Sequence, residues 1–174
     1  MGYSSSDLKD SLYTMFTVQS NPNTMTQHYK DLAEIYDDYC KNAKEDGANN
    51  VLLTTGKSAF ESIFSTYPES APSLTIYATY IENACISYWN SSAFSLVNKP
   101  TGWSELSSIS ITPMGQNSMK TTLETAFSSS QGDPTVLSTA MANIIHGASS
   151  GVSMTLTGLN ALSVPVTMTA SLKA

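Results

Sequence analysis

The period of the apolar residues changes once along this chain, at Gly147, and that change sets the fold class. Before it, hydrophobic residues recur every three or four positions, the spacing of one face of an α-helix. After it, Val152, Met154 and Leu156 alternate with Ser153, Thr155 and Thr157. Val164, Val166, Met168, Ala170 and Leu172 then alternate with Pro165, Thr167, Thr169 and Ser171. A repeat of two belongs to a strand with one face covered. The expected fold is mainly α: a small bundle of about six helices over residues 1–150, then a two-stranded β-ribbon over 151–174 with its turn at Gly158 to Asn160. Two strands alone are marginal in water, so the ribbon must lie on the helices or pair with another sheet. Pro165 cannot donate to a ladder, which marks the second strand as an edge or a bulged strand.

The helical part reads as six segments. The first, 7–17, carries Leu8, Leu12, Met15 and Phe16 on one stripe after a run of capping serines. In the second, 25–45, Met25, Tyr29, Leu32, Tyr36, Tyr39 and Ala43 step by three and four, with Asp31, Glu34, Asp37 and Asp38 on the other faces and Gly47 as a stop. Shorter stretches follow at 58–67, at 72–89 behind Pro72, and at 117–127. The sixth begins with Asp133 as N-cap and Pro134 in the first turn, and runs through Ile144 to Gly147. Periodicity fails between residues 90 and 113, where Pro100, Gly102 and Pro113 mark an irregular connection.

Charge narrows the function classes. Only 13% of residues are charged, about half the usual share. The polar surface is made of hydroxyls instead, with 28 Ser and 20 Thr. Hydroxyls are cheaper to desolvate than ions, so such a surface suits burial against neighbours. Between residues 106 and 174 only Lys120, Glu124, Asp133 and Lys173 are ionised. Charge depletion with aliphatic and Met residues kept is the composition of a protein–protein interface core. The net charge of −6, and eight basic residues that are all Lys, argue against a nucleic-acid partner, for which Arg forks are the preferred contact. No run approaches the length of a membrane span, and no secretory leader pattern opens the chain. Cys40 and Cys85 fall at apolar helical positions and are expected as buried thiols, in keeping with synthesis in a host cytoplasm.

Motifs for chemistry are weak. Gly56-Lys57-Ser58 has the end of a phosphate-binding loop, but the required earlier glycine is Val51, so a helix start is the simpler reading. Asp31, Glu34 and Asp38 share a helix face without a His ligand, which reads as a solvated acidic surface. His28 is expected to be exposed, and His146 to sit favourably at a helix C-terminus. No catalytic residue, cofactor or metal is expected.

The stretch from Leu137 to Gly158 includes Ile144-Ile145-His146-Gly147-Ala148 passing into Val152-Ser153-Met154-Thr155-Leu156-Thr157-Gly158. It resembles the C-terminal region of small tailed-bacteriophage virion proteins, in which a Tyr-Trp helix end like Tyr88-Trp89 and an amphipathic helix like that at 117–127 come earlier. The resemblance covers the back half of the chain and leaves the acidic second helix unexplained. It implies a non-enzymatic structural subunit of the neck, tail or baseplate, located in the virion. Its partners would be other virion structural proteins or copies of itself in a homo-oligomer or ring. The expected subunit interface is the apolar side of the ribbon: Val152, Met154, Leu156, Val164, Val166 and Met168. Two alternatives compete: a small helical hydrolase or ligand-binding domain with 90–113 as a lid around Trp103, Ser104 and Glu105, and a regulator that binds a host protein through the acidic helix.

Overall fold

Tyr29, Leu32, Ala33, Tyr36, Tyr39 and Cys40 are all buried along one helix, Met25–Cys40, and their three- and four-residue spacing makes that helix the axis of the core. The computed structural model describes residues 3–18, 25–44, 51–53, 56–68, 73–91 and 94–172. Among them are six helices: α1 (Ser5–Val18), α2 (Met25–Cys40), α3 (Gly56–Phe64), α4 (Leu74–Asn90), α5 (Lys120–Ser130) and α6 (Pro134–Ser149). Five strands complete the fold: β1 (Val51–Leu53), β2 (Phe94–Leu96), β3 (Trp103–Thr112), β4 (Ser153–Asn160) and β5 (Pro165–Ser171).

Side-chain contacts fix the direction of each helix. His28 meets Tyr77 near the starts of α2 and α4, while Trp89 donates to Tyr36 and Tyr88 to Asp37 toward their ends. Tyr36 and Tyr39 reach Ser149 and His146 at the end of α6. So α2, α4 and α6 run the same way. The others return: Tyr3, just before α1, donates to the Ser149 carbonyl, Phe60 and Phe64 of α3 pack on Tyr36 and Tyr29, and Phe127 late in α5 packs on Tyr77. The result is a six-helix up-and-down bundle. The three helices α2, α4 and α6 all finish at the end where the strands begin.

Local chemistry explains the helix boundaries. Asp133 accepts from the Thr135 and Val136 amides, with Pro134 in the first turn of α6. Ser73 caps α4 through the Ile76 amide. The α5–α6 link is a left-handed pair, Gln131 at φ 50° and Gly132 at φ 82°. α2 stops at Cys40, short of the expected residue 45, in a turn closed by Ala43 N–H to the Cys40 carbonyl. Gly47, read as its stop, and Pro72 lie outside the described residues. Gly56 opens α3 against the Tyr88 ring, where an added Cβ would fall 2.6 Å from a ring carbon, so the Gly-Lys-Ser stretch is a packed helix start.

The C-terminal sheet has three strands, not two, in the order β3-β4-β5, all antiparallel. β3 comes from the stretch expected to be an irregular connection or a lid. Its apolar residues Trp103, Leu106, Ile109 and Ile111 are spaced three, three and two, because bulges interrupt its register with β4 at Ser104 and Ser107. Each extra residue shifts the inward positions by one and erases the alternation. Residues 1–150 and 151–174 therefore share one sheet, and the buried cluster that runs through the helices also includes Val152, Met154, Leu156, Ala170 and Leu172. β1 and β2 form a separate antiparallel pair.

Candidate subunit interface

The face of the sheet turned toward the helices carries Ile111, Met154 and Ala170 across one row, then Ile109, Leu156 and Met168, then Leu106, Gly158 and Val166. Burial falls off along these rows. Met154 and Leu156 are 0% exposed and Ala170 2%, whereas Met168 and Val166 are half-buried and Val164 is 50% exposed. Of the six expected interface residues, Val152, Met154 and Leu156 are buried within the chain's own core cluster. Val164, Val166 and Met168 remain available. The pattern of two identifies a covered face, but it cannot say what covers it.

The opposite face is a field of hydroxyls: Ser108, Thr157 and Thr167 in one row, Ser110, Thr155 and Thr169 in the next, Thr112, Ser153 and Ser171 in the third. Ser108 Oγ and Thr157 Oγ1 lie 2.6 Å apart. Glu105 is the only ionised side chain on the three strands.

The β4–β5 turn is tightly fixed. Asn160 Oδ1 accepts from the Leu162 and Val164 amides at 2.9 and 3.0 Å, and Ser163 adopts a left-handed φ of 59°. Behind it, Ser104 Oγ donates to the Asn160 carbonyl at 2.6 Å and Ala161 N–H to the Gly102 carbonyl at 3.1 Å. This turn holds Leu162 83% exposed. A large apolar side chain held out on a rigid turn loses little entropy when a partner covers it.

The two edges of the sheet differ. Along β3 the edge is blunted by both bulges, by Glu105, and by Lys99 Nζ donating to the Ser104 carbonyl. Pairing of β5 with β4 runs without interruption from Leu159–Pro165 to Ser153–Ser171. Asn160 N–H donates to the Val164 carbonyl, so Val166, Met168 and Ala170 turn their backbone groups to β4, and Pro165, Thr167 and Thr169 turn theirs outward. Pro165 thus sits where its missing N–H faces away from the sheet. Among the described residues no strand pairs with the outer edge of β5.

Several residues of the competing readings make contacts within the fold. Trp103 lies across Gly158, where a Cβ would meet the ring at 2.8 Å and the Glu105 carbonyl at 2.1 Å, and Ser104 is tied into the turn. Glu34 pairs with Lys57. Asp37, which lies off the apolar stripe of α2, is nevertheless 3% exposed, accepts from Tyr88 Oη at 2.9 Å and binds Lys41 at 2.5 Å. His28, expected to be exposed, is half-buried with Nε2 2.6 Å from Tyr77 Oη, and burial holds its pKa below the usual histidine value against the opposing pull of Asp31. His146 Nδ1 meets Tyr39 Oη at 2.6 Å. Cys40 and Cys85 are buried free thiols whose pKa values burial raises. A groove of about 750 Å³ between α2 and α3 passes Tyr29, Lys30 and Glu61. Among the described residues, no three His, Cys, Asp or Glu side chains converge as metal ligands, and no helix is long and apolar enough to cross a membrane. Comparison with protein-family models, with curated proteins and with solved structures finds no match for this chain.

Proposed function

We propose that this chain is a non-enzymatic structural subunit of a tailed-bacteriophage virion, built into the neck, tail or baseplate and joined to its neighbours through its C-terminal sheet. The observation that carries the assembly part is the asymmetry of the sheet edges. Proteins that must stay alone blunt both edges with charges, bulges or covering segments. Here β3 carries a charge, two bulges and the Lys99 contact, while β5 beyond Pro165 offers an uncharged, unbulged row of backbone donors and acceptors beside the exposed Leu162. Strand addition needs such a row, because main-chain hydrogen bonds supply the affinity and alternate side chains the fit. The virion part rests on the resemblance of residues 137–158 and on the charge-poor, hydroxyl-rich back half.

Mass spectrometry of purified particles produced from the encoding genome tests this reading. The chain is expected in stoichiometric amounts, and Leu162→Asp, which leaves the buried cluster intact, should reduce its incorporation at least tenfold. Absence of the chain from particles, or full incorporation of the variant, would contradict the reading.

A further inference from the structure

We propose that the outer edge of β5, at Thr167 and Thr169, pairs with β5 of a second copy of this chain, antiparallel and centred on Met168, so that two three-stranded sheets become one of six strands across a two-fold axis. This deepens the proposed function and rests on it: it names the partner of the sheet edge.

Four observations select a second copy. First, self-pairing about a two-fold axis sets every residue near its own kind, so a charged edge would repel itself. β5 has no charged residue, although the chain carries a net charge of −6. Second, the outward backbone groups fit this register. Centring on Met168 sets Thr167 opposite Thr169 of the second copy as a hydrogen-bonded pair, and each such pair exchanges two N–H···O bonds. The same pairing recurs on the other side of the axis. Pro165 falls at the end of the ladder, where its missing donor interrupts nothing central.

Third, the side chains match on both faces. Cross-strand Thr–Thr neighbours extend the hydroxyl rows, and the half-buried Met168 and Val166 gain cover from Met168 and Ala170 of the second copy. Fourth, the register carries the turn of one copy past the end of the other's β5, with Val164 opposite Leu172. The exposed Val164 and Leu162 then lie toward the end of the second copy where its helices meet the sheet. A ladder built on Thr167 and Thr169 is short of a standard interface by itself, so this apolar contribution matters.

The test uses the full chain and light scattering at 1 to 100 µM, a range chosen to span weak dimerisation at roughly micromolar Kd. The wild type should reach twice the 18.6 kDa chain mass. T167K/T169K sets lysines opposite lysines and should give single chains, as should T167E/T169E with glutamates. Mixing the two forms should restore the doubled mass, because the register opposes lysine to glutamate. Both positions are exposed, so folding, checked by circular dichroism, should be unchanged. Met168→Cys should form a symmetric disulfide on mild oxidation, since Cα atoms in a non-hydrogen-bonded pair lie about 4.5 Å apart, within disulfide reach. A wild type that stays at one chain mass overturns the self-pairing, as do lysine and glutamate forms that dimerise separately as well as together. If the wild type is single but T167K/T169K is excluded from particles, the edge takes an unlike strand: the self-pairing falls and the structural role stands. A doubled mass with no chain in particles has the reverse meaning.

Discussion

Glu82 reaches from the middle of α4 to cap α5: its Oε2 accepts the Met119 amide at 2.7 Å and the Lys120 amide at 3.0 Å, and Oε1 accepts the Asn117 amide at 2.8 Å. Met119 has no side-chain cap of its own to offer, and Glu82 is only 4% exposed. A buried carboxylate is tolerable here because three N–H donors and the positive end of the α5 dipole replace its water. Glu82→Ala leaves those amides unsatisfied and should cost about 3 kcal/mol, with Glu82→Gln losing about half as much because one oxygen remains an acceptor. Urea denaturation of the two variants checks both the loss and its order.

Gly158 holds the sheet and Trp103 together. A Cβ there would fall 2.1 Å from the Glu105 carbonyl oxygen, which belongs to backbone in the next strand and cannot rotate away. Gly158→Ala should therefore destabilise the chain by about 2 kcal/mol through forced separation of β3 and β4. The indole of Trp103 should become more solvent-exposed, read as a red shift in its emission in a Trp89→Phe background.

Residues 151–174 cannot be removed as a detachable ribbon. Their loss takes Val152, Met154, Leu156 and Leu172 out of the shared core and strips β3 of its partner. Burial of each such side chain is worth about 2 kcal/mol, so the sum rivals the roughly 5–15 kcal/mol that holds a domain together. A chain ending at Ser150 is expected to lose its cooperative thermal transition, measured by circular dichroism.

His28 gives the fold an acid sensitivity with a definite sign. Its folded pKa lies below the unfolded value of about 6.5, because burial beside Tyr77 disfavours the imidazolium. The unfolded chain thus binds the proton more readily, and stability present above that value is lost as pH falls through the lower folded pKa. Between pH 7.5 and 5, the wild-type Tm should drop by more than that of His28→Gln, an uncharged side chain that can still hydrogen-bond Tyr77.

Much of the helical part was legible because its signals are local. Asp133-Pro134 announces α6, and the tyrosine ladder of α2 announces its buried face. The third strand was hidden because the bulges at Ser104 and Ser107 turn a repeat of two into a spacing that belongs to no regular element. Asp37, Glu82 and His28 could not be placed from their neighbours in sequence, since their partners Tyr88, Met119 and Tyr77 are brought up only by tertiary packing. At the candidate interface the alternation was visible, and half of it turns out to be buried within the chain itself. An apolar stripe records that something covers it, and for Val152, Met154 and Leu156 the cover is the chain's own bundle.

Hydrogen exchange at the Thr167 and Thr169 amides, compared between the isolated chain at low concentration and the chain within purified particles, bears most directly on whether the sheet edge is the joining surface. Pairing of that edge with another strand should slow exchange at both amides at least a hundredfold in particles, while the Met168 amide, already turned to β4, changes far less. Equal, rapid exchange of Thr167 and Thr169 in both states would show an edge left open to water, and assembly through β5 would be excluded.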